Sequence, residues 1–168
     1  MHSDILQKKI VQIYYGNGKG KTTAAMGQSI RAASKGLRTI IIQFLKGKDA
    51  QEFSYLQKLE PDIKLFRFEK ADAFYGELTP EEQAEERKNI LNGWNFARKV
   101  LNAGECDMLV LDEVLGLVDL GILTLQDIID LIELKDDYFK LVMTGLHMPK
   151  ELEEYADMIS FVEQKKGN

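Results

Sequence analysis

The stretch IVQIYYGNGKGKTTAAM, residues 10–26, constrains the fold more than any other part of this chain. Six apolar or aromatic-rich residues run straight into three glycines at alternate positions, then Lys-Thr-Thr, then small residues at helical spacing. A strand feeding a glycine loop that opens a helix is an anion-binding arrangement. Glycines let backbone N–H groups turn toward a ligand, and the helix start carries partial positive charge. The spacing departs from the usual phosphate loop, which has four residues between its first glycine and the closing Gly-Lys-Thr/Ser. Here Gly16 and Gly20 enclose three, and the longer pattern would need its first glycine at Tyr15.

Within that loop each residue type has a chemical use. Gly16, Asn17, Gly18, Lys19 and Gly20 form the loop itself, and Lys21, Thr22 and Thr23 open the helix. Lys21 is placed to neutralise phosphate oxygens, and the Thr22 hydroxyl to ligate magnesium. Lys19 is read either as a second phosphate contact or as a solvated lysine. A nucleotide and Mg2+ are therefore the expected ligand and cofactor; ATP as the co-substrate follows only from the family resemblance given below.

The rest of the chain repeats the alternation. Thr39–Leu45 is a nearly continuous apolar run, as expected for a strand covered on both faces. Ile63–Phe68 is a weaker strand of mixed polarity. Thr79-Pro80-Glu81-Glu82 has the form of a helix start, with Ile90, Trp94, Ala97 and Leu101 recurring behind it. Strands follow at Met108–Leu111 and Lys140–Thr144, with a helix between them opening at Thr124. A final helix near Pro149–Tyr155 and a strand at Met158–Val162 close one domain of 168 residues. This order predicts an α/β fold of the P-loop NTPase, RecA-like kind: a mainly parallel sheet with helices on both faces.

In such sheets ligands sit at the carboxyl ends of the strands. DMLVLDE, residues 107–113, delivers Asp112 and Glu113 to that edge, where a carboxylate holds magnesium opposite the loop hydroxyl. The expected metal set is Thr22, Asp112 and Glu113. A net charge of −5 argues against nucleic acid as the main partner. The single cysteine, Cys106, excludes an internal disulfide framework, and neither a signal peptide nor a membrane span is evident. A cytoplasmic protein without a membrane partner is the expectation.

GNGKGKTTAA at 16–25, Arg31, IIQFLKG at 41–47, Trp94, LVLDE at 109–113 and the late Thr144-Gly145 occur in one order. Together they resemble the ATP:corrinoid adenosyltransferases. That resemblance implies a reaction in which a reduced cob(I) corrinoid attacks the 5′-carbon of ATP and expels the whole triphosphate. Lys21 and Glu113 would then be catalytic, with Glu113 the nearer of the two carboxylates to the metal, and Arg31 would join the ATP site. On its residue type alone Arg31 reads equally as a surface cation.

The resemblance also implies a corrinoid contact at Phe74, Tyr75 and Trp94. Trp94, on an apolar helix face, reads first as core; Phe74 and Tyr75, in a stretch that departs from the family's aromatic motif, read alternatively as loop packing. The family's late Thr-Gly-Arg is here Thr144-Gly145-Leu146-His147, so one cation is missing. Relatives imply a homodimer with an N-terminal lid, short or absent here because nine residues precede the first strand, and a flavoprotein reductant. The loop and acidic strand by themselves also fit a small kinase, an ATPase or a nucleotide-gated binding protein.

Overall fold

The computed structural model describes residues 8–46, 51–134 and 139–167; the proposed N-terminal lid and Gly47 lie outside these residues. The chain forms β1 (Ile10–Tyr15), α1 (Lys21–Ser34), β2 (Thr39–Gln43), α2 (Gln51–Leu56) and β3 (Ile63–Arg67). It continues through α3 (Pro80–Ala103), β4 (Met108–Asp112), α4 (Val114–Asp119), α5 (Leu125–Glu133), β5 (Lys140–Gly145) and β6 (Met158–Phe161). The expected last helix, at Lys150–Tyr155, is a 3-10 segment. No helix among the described residues is long and apolar enough to cross a membrane.

The six strands are ordered β3-β2-β4-β5-β1-β6, and every neighbouring pair is parallel. One strand, β5, therefore separates the strand of the glycine loop from the strand that ends in Asp112. Side chains alternate across the sheet with a period of two. Val11, Ile13, Ile40, Ile42, Leu109, Leu111, Leu141 and Met143 share one face with α3, α4 and α5. Tyr14, Ile41, Val110 and Val142 share the other with Ala25 and Ala32 of α1.

That alternation has a direct effect on the site. Continuing past Val110 and Val142 by one period places Asp112 and Thr144 on the α1 face, and Gln43 follows Ile41 to the same side. Three polar residues thus arrive together where α1 begins. Helix ends are set locally: Thr79 and Glu82 form a reciprocal capping box on α3, as Thr124 and Asp127 do on α5. Gly36 and Gly104 supply the left-handed residues after α1 and α3.

The glycine loop is braced from behind by the end of β6. Val162 donates its N–H to the Tyr15 carbonyl at 2.7 Å and accepts the Gly18 N–H at 2.9 Å. The Gly16 N–H is held by the Gly145 and Leu146 carbonyls at 3.2 and 3.1 Å. A Cβ added at Gly16 would stand 2.2 Å from the Val162 oxygen, and one at Gly18 2.8 Å from it. Gly16 also has φ +126°, a conformation that L side chains rarely adopt. Gly16→Ala is therefore expected to destabilise the protein by about 1–3 kcal/mol in urea unfolding. The same variant should loosen the β1–β6 edge, seen as faster amide exchange at Val162.

Candidate nucleotide and metal site

Gly16 and Gly18 direct their N–H groups into the protein, so two of the donors expected to face a ligand do not. The donors left for an anion are those of the first turn of α1, from Lys21 onward, which have no partners within the helix. Gly20 makes this possible: it sits at φ 109°, left-handed, immediately before α1, in open space where only its backbone conformation requires glycine. Lys21 reaches back over the loop and donates to the Gly16 and Gly18 carbonyls at 2.6 and 2.9 Å. Asn17 and Lys19 are exposed on the crown of the loop, and Thr23 is exposed at the helix start.

Asp112 is the centre of the polar cluster. It is 1% exposed, yet its carboxylate accepts the Thr22 hydroxyl at 3.0 Å, the Thr144 hydroxyl at 2.7 Å and the Gln43 amide at 3.3 Å. Gln43 in turn accepts from Arg67 at 2.8 Å, so the network spans β3, β2, β4 and β5. Thr144 also accepts the backbone N–H of Glu113 at 2.8 Å, fixing the turn from β4 into α4.

Lys46 joins this group from beyond β2. Its ammonium donates to the Thr22 hydroxyl at 3.3 Å and lies 3.9 Å from Asp112. In the sequence this lysine stands within IIQFLKG, where no motif assigns it a role. Its place after a buried strand, at the ligand edge of the sheet, was the available signal.

The structure places Asp112, rather than Glu113, on the Thr22 hydroxyl. Glu113 adopts φ 62° and leads into α4. Burial, with the adjacent Asp112 carboxylate, raises its carboxyl above the ordinary range, against the pull of Lys46 and Lys21. The donors here are hydroxyl and carboxylate oxygens beside a loop built for phosphate. That set fits a hard divalent cation shared with a nucleotide.

Two expected contacts are corrected. Arg31 occupies the last turn of α1, ten residues and about 15 Å beyond Lys21 along the helix. It lines a pocket with Ile10 and Lys140, the first residues of β1 and β5, at the opposite edge of the sheet from the loop. Burial and the charges of Arg31 and Lys35 push the Lys140 ammonium down, consistent with that crowding. Trp94 is 5% exposed within the core cluster, so its indole packs against the interior and is not presented to a corrinoid.

Phe74 and Tyr75 lie where the loop after β3 approaches the site. Phe74 is 58% exposed, Tyr75 packs against the core, and both line a narrow crevice with Leu45, Lys46, Glu69 and Ile90. On the other side of the loop, Tyr15, Gly16, Leu146, His147 and Phe161 border a wider cavity of about 340 Å³. Tyr15 and Phe161 rings sit 5.1 Å apart there, and His147 pairs with Asp119 at 3.1 Å.

Comparisons with known proteins bear on the family and the fold. Residues 7–168 match the family model described as ATP:corrinoid adenosyltransferase BtuR/CobO/CobP. The corrinoid adenosyltransferase CobA of Salmonella typhimurium is 30% identical over 92% of this chain and 76% of that protein. An uncharacterized Nostoc protein is also 30% identical, over 89% of this chain, which spans only 42% of that longer protein. Among solved structures, a KaiC-like protein from Pyrococcus horikoshii covers 95% of this chain and 74% of its own, with a TM-score of 0.55 at 16% identity. That last likeness concerns the fold alone, a P-loop NTPase-like sheet. With the family model matching nearly the whole length, the chain belongs to the ATP:corrinoid adenosyltransferases.

Proposed function

We propose that this protein transfers the 5′-deoxyadenosyl group of ATP to the reduced cobalt(I) of a corrinoid and releases inorganic triphosphate. The observation that carries the reading is family membership over residues 7–168. The site geometry is compatible with it, since Lys21, Lys46 and the first turn of α1 gather positive charge beside the Thr22–Asp112 pair, where a phosphate chain would be bound. In the reaction the cobalt(I) electron pair forms the new carbon–cobalt bond. The C5′–O5′ bond breaks, and its electron pair leaves with the triphosphate. Negative charge therefore grows on the phosphate chain, and donors held in place beforehand stabilise it more in the transition state than in the ground state.

Each residue has a part in that stabilisation. The first N–H groups of α1 grip the triphosphate, the loop Gly16–Gly20 shapes its approach, and Asn17, Lys19 and Thr23 lie at its margin. Lys21 moves from the loop carbonyls it now caps onto phosphate oxygens. Lys46 adds a second cation from the other side of Thr22. Mg2+ would be held by the Thr22 hydroxyl and Asp112, with Glu113 reaching it through water, and would supply further positive charge to the leaving group. No general base is required, because cobalt(I) carries no proton to lose.

In this reading the corrinoid would lie against Phe74 and Tyr75, which line a crevice together with Lys46. A flavoprotein supplying the electron for cobalt(I), a homodimeric assembly and a cytoplasmic setting complete the proposal.

Three measurements test it. Lys21→Ala should fold normally by circular dichroism and lose about 10²–10³-fold in turnover, so near-parental turnover at saturating ATP would remove Lys21 from the mechanism. Asp112→Asn should weaken the magnesium dependence of activity more than Glu113→Gln, and superimposable magnesium titrations would exclude both carboxylates. Finally, ATP with magnesium and a chemically reduced corrinoid should yield inorganic triphosphate in step with adenosylated corrinoid. ATP carrying a methylene in place of the β–γ bridging oxygen should still transfer its adenosyl group. Formation of ADP alone would instead identify a kinase or ATPase on the same fold.

A further inference from the structure

Lys46 is a long side chain on a connection between elements, and such lysines ordinarily sample many rotamers. Its approach to Thr22 therefore depends on how the backbone before it is held. Leu45 has φ 57°, the left-handed region that a branched apolar residue rarely enters. Its side chain is seated against Gly116 of α4, where an added Cβ would come within 2.7 Å of Leu45 Cδ1. Its N–H donates to Glu69 Oε1 at 3.1 Å, and the Lys46 N–H is turned toward the same carboxylate.

We propose that Glu69 is a positioning residue for the transfer reaction: by accepting the Leu45 N–H, with the Lys46 N–H turned toward it, it fixes the turn that delivers the Lys46 ammonium to the Thr22–Asp112 pair. The inference rests on the reading of that pair as part of the triphosphate site. Glu69 lies two residues beyond β3, so it links the second loop of the site to the first. The same stretch is held again by Glu86 of α3, which accepts the Lys70 and Ala71 N–H groups at 2.8 and 2.9 Å.

The charged groups acting on Glu69 are Glu86 from α3 and Arg67 from β3; Lys46, beyond β2, lines the same crevice. Burial, opposed by the Leu45 N–H and reinforced by Glu86, pushes the Glu69 carboxyl up to about 7. The folded state thus holds this proton more tightly than the unfolded chain. Glu69 contributes most to stability below its ordinary value and loses that contribution as pH rises through 7. The ionised carboxylate is nevertheless the stronger acceptor for N–H groups. The hold on the turn should therefore be stronger above pH 7 than below it.

The test measures binding of inorganic triphosphate, with magnesium, by calorimetry on the full chain at pH 6 and pH 8. Glu69→Gln keeps the shape and removes the charge. At pH 8 it should weaken binding about three- to tenfold, and by less at pH 6, where the parent carboxyl is itself protonated. Lys46→Ala should weaken binding at least as much, and adding Glu69→Gln to it should change affinity less than about twofold. Glu69→Asp, which keeps the charge but retracts it by one methylene, should show the same dependence on Lys46. Equal effects of Glu69→Gln with and without Lys46, or an effect independent of pH, would overturn the positioning role and leave the triphosphate site standing. Absence of triphosphate binding by the parent protein would overturn both.

Discussion

A carboxylate shut away from water is the interaction on which this site is built. Asp112 would be costly to bury alone, since an unpaired charge in a protein interior loses its hydration without return. The chain meets that cost by bringing three side-chain donors from three other segments: Thr22 of α1, Thr144 of β5 and Gln43 of β2. Lys46 lies 3.9 Å away as counter-ion. Sheet order, strand register and the start of α1 must all be right before these donors coincide. The polar centre that serves chemistry is therefore also a check on the fold, because a register slip by one residue would turn Thr144 to the opposite face.

Much of the scaffold was legible from short-range pattern. β1 ends at Tyr15 because the glycines begin there, and the Thr79 and Thr124 starts follow from capping residues that act over one turn. α4 escaped notice because VLGLVD is six residues of apolar character directly after an acidic pair, too short for helical periodicity to emerge. The order of the two carboxylates was readable in principle. Asp112 shares parity with Val110, and Val110 faces α1, whereas a preference for Glu113 rests on family resemblance alone.

Other features depend on reach. Family resemblance puts Arg31 at the ATP site, whereas a straight helix takes it about 15 Å from Lys21. Lys46 and Glu69 are separated by more than twenty residues, and only the parallel pairing of β2 with β3 brings the connections after them together. Nothing in their local sequence signals that one holds the other's backbone. Trp94 shows the reverse case: its apolar spacing indicated core, and the structure places it there.

The brace behind the glycine loop has a consequence for how the protein comes into being. The loop occupies residues 16–20, but the carbonyl that receives Gly18 belongs to Val162, close to the last residue of the chain. A ribosome that has made β1, α1 and even Asp112 has not yet made the wall against which the loop is shaped. The loop can therefore take its shape only once Val162 has been made. A chain shortened before β6 would keep the glycines and lose the wall that orders them.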